Sequence, residues 1–180
     1  MSSGIQEAAS RAGATMVQAD RPGSYRKAAI RGGRILKEVL VHELILQSDV
    51  FINVPVLKSH GGAGLTISLK NLMGTVWDRG EFHSMGLHQC IADLGLLRKP
   101  DLNVVDAYRV MTTRGPRGTS ERDVTIMKAQ VLCTDIVAAD TAAARIFGKD
   151  PESGEYIRNA ASLGVGSMNL DRMKIERIAI

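Results

Sequence analysis

"DVFINVPVLKSHGGAGLTISLKNLMG", Asp49–Gly74, is the stretch on which the fold turns. A near-continuous apolar run leads straight into two lysines, a histidine and closely spaced glycines. Such a run predicts an interior strand over Val50–Val54, buried on both faces as in a parallel sheet. Pro55 has no N–H for a ladder, so the strand must end or bulge there. A helix is predicted from Thr66 to Met73, stopping at Gly74. The glycine segment then joins a buried strand to a helix start at the carboxyl edge of a sheet, where ligands of open α/β sheets bind.

Outward from this stretch, the chain alternates strands and helices. Upstream, Gly4–Ala12 reads as a short helix with Ser3 as N-cap and Gly13 just past its end. Residues 14–19, "ATMVQA", read as a strand and 21–24, "RPGS", as a turn. Residues 27–39, "KAAIRGGRILKEV", read as a β-hairpin with Gly32-Gly33 in a two-residue loop. Val41–Gln47 reads as an amphipathic helix. Downstream, 75–82 is irregular, Ser84–Leu97 is a helix closed by Pro100, and "LNVVDAY" (102–108) is a strand. A polar loop, "TTRGPRGTSERD" (112–123), precedes the strand "TIMKAQVLC" (125–133). Asp135 caps an alanine-rich helix over 136–148. Glu152–Leu163 is a further helix ending at Gly164, and "MKIERIAI" (173–180) is a closing strand. The class is α/β, with a mostly parallel, Rossmann-like sheet, flanking helices and one hairpin. The 180 residues suit a single domain.

The composition narrows the function classes. Net charge is +4 without any basic run, which fits an anionic small ligand at least as well as a nucleic-acid backbone. The two cysteines, Cys90 and Cys133, form no CxxC pair, so no iron–sulfur cluster is expected on this chain alone. They also make no disulfide framework, which points to a reducing compartment. No apolar run reaches membrane-helix length and the N-terminus lacks a signal pattern, so the expected location is cytoplasmic, with no membrane partner.

Candidate site residues cluster around the glycine segment. Gly61, Gly62 and Gly64 let backbone approach a ligand and expose N–H groups. The helix start at Thr66 adds a positive dipole end. Lys58 and Lys70 flank it, with Asn71 beside Lys70, and phosphate or carboxylate binding follows. The opposing reading is a permissive turn with solvated lysines. The loop at 112–123 brings Arg114 and Arg117 as further anion contacts, able to close over the site, or is a mobile surface loop. His60 lies in the glycine segment; His83 and His88 follow it. Neutral imidazoles in one pocket hold a divalent metal or carry protons, and here the metal candidates are His83 and His88. Their spacing of five fits one helix face poorly, so His88 also reads as a helix-surface residue. Asp93 is a candidate acceptor behind them. Asp106, at a strand end, joins His60 and Lys70 as a catalytic candidate, or caps the following turn. Asp140, among alanines, reads as an exposed position.

These segments resemble the domain of unknown function 362 family. The resemblance rests on "FINVPVLKSHGGAGLTISLKNLMG", "FH" at 82–83, "IADL" at 91–94, "PDLNVVDAY", "GPRG", "TDIVAADTAAARIFGKDP" and "SLGVGSMNL". It implies redox or cofactor-related chemistry. Many members are described as iron–sulfur proteins because a ferredoxin-like module is attached, and some carry a twin-arginine signal. This chain has neither feature. The resemblance implies that the chain begins partway through a larger family domain, leaving an exposed apolar patch or open sheet edge that a homodimer would cover. A more distant resemblance is to the nickel-pincer lactate racemases. It implies Lys70 as a nucleotide tether, His60 as acid/base and His83 or His88 as nickel ligand, although "KNLMG" lacks that family's proline. The expected function is binding of an anionic small molecule or phosphate-containing cofactor, or a metal, at Lys58–Lys70. The different-class alternative is a non-catalytic domain docking a ferredoxin-like, iron–sulfur partner, and the third is a nickel-cofactor isomerase.

Overall fold

A computed structural model describes residues 4–179. Helix α1 (Ile5–Arg11) comes first, with Gly4 as its N-cap; the expected cap, Ser3, lies outside the described residues. The strand expected over 14–19 is absent, and Met16 and Val17 are exposed; the Ala19 carbonyl accepts from the Tyr25 hydroxyl at 2.8 Å. The hairpin is present. Strands β1 (Tyr25–Ala29) and β2 (Glu38–His42) pair antiparallel, from Tyr25 opposite His42 to Ala29 opposite Glu38. The connection spans residues 30–37 rather than Gly32-Gly33 alone, because the buried carboxylate of Asp93 organises it. That carboxylate accepts the N–H groups of Arg34, Ile35 and Leu36 at 2.9, 2.7 and 2.9 Å.

Helix α2 (Glu43–Gln47) is shorter than expected, because Val41 and His42 belong to β2. Pro55 then divides the apolar run into β3 (Ile52–Asn53) and β4 (Val56–His60). Both lie parallel to one edge of the long strand β6 (Leu102–Met111). Strand β5 (Gly64–Thr66) pairs antiparallel with β4, and β7 (Val124–Cys133) antiparallel with the other edge of β6. The result is a mixed α/β fold with a five-stranded sheet in which three strands share one direction, beside the separate hairpin. The expected class holds.

The expectation of two-sided burial does not hold. Val50, Ile52 and Val54 are 63, 51 and 60% exposed, while Asn53 and Leu57 are buried. This is the alternation of a strand with one covered face. Helices α3 (Ser68–Asn71), α5 (Leu87–Leu94), α6 (Ile136–Phe147) and α7 (Glu155–Ser162) supply the core, together with Leu57, Val105 and Ala107 of the covered face. Alanines of α6 allow the close approach on which this packing depends, and Asp135 caps that helix through the N–H groups of Val137 and Ala138. On the other face Ile52, Val56, Tyr108, Ile126 and Leu132 stand in the open.

Two helices differ from expectation. The segment expected as one helix over 84–97 is α4 (Phe82–Met85) and α5, broken at Gly86, whose φ of 112° only glycine adopts readily. The closing strand over 173–180 is not formed among the described residues.

Candidate functional site

Lys58 and His60, two residues apart, share one face of β4, beyond a register irregularity that separates them from Val56. Across the β4–β5 pair, Lys58 lies opposite Thr66 and His60 opposite Gly64. The glycine segment is therefore the turn of a β-hairpin, not a strand-to-helix loop; the helix begins only at Ser68. The turn folds back on His60, whose Nδ1 accepts the N–H groups of Gly62 and Ala63, both at 3.1 Å. With Nδ1 an acceptor, the neutral ring carries its proton on Nε2, which is left as a donor.

Positive groups crowd this imidazole. Burial, then the charges of Lys70, His83 and Lys58, lower the His60 pKa to about 4. Burial also lowers the pKa of Lys70, followed by the charges of Lys58 and Arg79. Among the described residues the Lys70 ammonium meets only the thioether of Met73, at 3.7 Å, a weak acceptor. The Lys149 ammonium lies 4.0 Å from where a Cβ on Gly64 would sit. No carboxylate pairs with Lys58, Lys70, Arg79, His83 or Lys149 among the described residues. Arg79 and Lys149 carried no motif and escaped the sequence reading.

The arginine loop docks beside this turn. Gly115 donates to Ser59 Oγ at 3.1 Å, and Gly61 donates to the Gly115 carbonyl at 3.3 Å. A side chain at 115 would collide with the Ser59 carbonyl, so the contact requires glycine. Buried Asp123 holds the loop by accepting from Thr113 Oγ1, Arg114 Nε and the N–H groups of Thr119 and Ser120. These bonds hold its carboxyl far below the usual carboxylate range. Arg114 thus braces the loop through Nε, at 2.7 Å from Asp123, while much of its guanidinium stays exposed. Arg117 has no partner among the described residues.

The remaining candidates sit elsewhere. Asn71 joins an amide chain: its Nδ2 donates to Asn53 Oδ1 at 2.8 Å, and Asn53 Nδ2 donates to the Ser68 carbonyl and Asn103 Oδ1. Its role is to tie α3 to β3 and β6. Asp106 lies on the open sheet face beside Val56, and its carboxylate accepts the N–H of Tyr108. His88 parts from His83. It stacks on Tyr156 at 6.2 Å between centroids and lies 3.8 Å from Glu155. No three His, Cys, Asp or Glu side chains converge as a metal-holding group among the described residues. Cys90 is a buried core residue, and burial pushes its thiol up to about 11.

Asp140 is the largest correction. Expected at the surface, it is completely buried, and accepts the N–H groups of Ser68 and Leu69 at 2.7 and 3.1 Å. Asp93, expected behind the histidines, instead serves the 30–37 connection. The one sequence signal for Asp140 was its setting among small residues, which implied close packing.

The profile of a family described as "Domain of unknown function (DUF362)" matches residues 1–145. A thylakoid-associated protein of Synechocystis sp. is 29% identical over 119 residues, covering 59% of this chain and 35% of its own length. The chain thus spans about a third of that relative. No solved structure matches. Nothing among these matches supports the lactate racemase resemblance. No helix among the described residues is long and apolar enough to cross a membrane.

Proposed function

The chain belongs to the DUF362 family, and on that footing we propose that it binds an anionic small molecule, a phosphate-containing cofactor or a carboxylate, at Lys58, His60 and Lys70. The observation that carries this reading is the crowding of cations without a counter-charge. Like charges held together in a partly buried place cost free energy, and an anion among them offsets that cost. His60 contributes a neutral Nε2–H donor above pH about 4, and the turn's glycines leave room for a ligand near the backbone. Arg79, His83 and Lys149 widen the field, and Arg117 stands on the loop docked beside the turn. We place this activity in the cytoplasm, since both cysteines are free, and in the service of cofactor-related chemistry.

Calorimetric titration with inorganic phosphate and nucleotides tests the site. Lys70→Ala is expected to weaken binding by roughly 1.5–3 kcal/mol, the range for a hydrogen bond to a charged group, with unchanged circular dichroism. Equal affinities in wild type and variant would end the reading.

The open sheet face favours a second reading, a docking face for a protein partner, with a second copy of the chain as the first occupant to test. Contiguous apolar surface of this kind marks interaction sites. Sedimentation should show a dimer that Ile52→Asp together with Leu132→Asp converts to monomer. A wild-type monomer at high concentration would remove the second copy as occupant.

A further inference from the structure

Helix α3, four residues long, carries the central lysine of the proposed anion site, and it lacks a cap of its own. Its N-cap position, Ile67, has no side chain that can accept a hydrogen bond. Four residues cannot hold a helical turn by local bonding alone. Its free N–H groups are instead taken by a carboxylate from another helix, 72 residues away: Ser68 N–H by Asp140 Oδ1 and Leu69 N–H by Asp140 Oδ2. From the other side Asn53 holds the Ser68 carbonyl and the Asn71 side chain. Lys70 is the next residue after the two N–H groups that Asp140 grips. Asp140 touches none of the cations directly.

We propose that Asp140 is a positioning residue for the anion site, gripping the first turn of α3 so that Lys70 is presented toward Lys58 and His60. The inference rests on the anion-site reading above. The grip needs both carboxylate oxygens as acceptors. A protonated carboxyl turns one oxygen into a hydroxyl donor, a much poorer acceptor for the second N–H. Burial raises the Asp140 pKa to about 7, against the opposing hydrogen bonds from Leu69 and Ser68, so the change falls in the neutral range. The groups facing Asp140 do not titrate there. Ser68 offers a hydroxyl, and Tyr156 from α7 is held well above its ordinary value by burial and by Asp140 itself. No ion pair among the described residues involves Asp140.

Sulfate, which keeps its charge throughout, is the probe, titrated calorimetrically from pH 6 to 8. Wild type should bind sulfate about fivefold more tightly at pH 8 than at pH 6, about one hydrogen bond's worth. The sign is diagnostic, because loss of an imidazole charge would weaken anion binding as pH rises. His83→Gln should keep the rise. Asp140→Asn, with one acceptor and one donor, should bind about fivefold more weakly than wild type at pH 8 and lose the rise; Asp140→Glu should restore part of it. Affinity that is flat or falling through pH 7 in wild type overturns the proposal even if no Asp140 variant folds. If Lys70→Ala leaves sulfate binding intact, the anion site itself has failed. If Lys70→Ala weakens binding but Asp140→Asn matches wild type at every pH, only the positioning role has failed.

Discussion

Asp93→Ala is expected to destabilise the domain by roughly 3–6 kcal/mol, a large part of the ~5–15 kcal/mol that holds a domain of this size folded. The carboxylate is fully buried in α5. It accepts the N–H groups of Arg34, Ile35 and Leu36, and the Gln89 amide at 2.7 Å. Alanine leaves three backbone donors without an acceptor inside the protein, and each such donor costs about 1–3 kcal/mol. The connection that Asp93 shapes also sets the hairpin against α5, so local repair by water requires that contact to open. Asp93→Asn keeps one acceptor oxygen and should lose less. Urea unfolding of the three proteins at one pH measures the order. A loss under about 1 kcal/mol in Asp93→Ala would mean that the connection finds other partners.

The second large effect is a pH dependence of stability. The pKa of Asp140 is 3.8 unfolded and about 7 folded. Between those values the folded state holds a proton that the unfolded state has released, so stability falls as pH rises. The contribution is fully present below pH about 4 and lost by pH about 7. The difference corresponds to about 4 kcal/mol. Asp140→Asn removes the titrating group, so its unfolding free energy should lose that downward slope and gain on wild type across the window. Asp123 acts with the opposite sign. Its lowered pKa contributes stability above pH about 4 that is lost in stronger acid. Urea unfolding of wild type and Asp140→Asn between pH 4.5 and 8 checks the first sign. Parallel curves would show that Asp140 is already charged in the folded protein throughout this range, as it is in the unfolded chain. Paired with the expected rise in sulfate affinity, the slope describes a group whose charged form weakens the fold while it holds the site in order.

Local chemistry was legible. The α/β class, the hairpin, the cap at Asp135 and the interruption at Pro55 follow from period, caps and proline, all of which act within a few residues. Lys58, His60 and Lys70 stood out because lysine and histidine next to glycines are visible in one line of sequence. Two of the misread features share a single reason. Val50–Val54 is apolar throughout, and apolar character by itself does not say whether one or both faces of a sheet are covered. Asp140, lodged among alanines, offers no local sign of which distant N–H groups it serves.

The sequence by itself determined the α/β class, most of its strands and helices, and the excess of basic groups around the glycine turn, because these depend on neighbours along the chain. Only the tertiary structure decided that helices cover one face of the sheet, that the glycines close a hairpin on His60, and that Arg79 and Lys149 join the cluster. It also decided the partners of the buried carboxylates. Asp93 meets Arg34 across 59 residues and Asp140 meets Ser68 across 72. A buried carboxylate must find donors wherever the packing brings them. That packing is a property of the assembled core, and no spacing along the chain encodes it.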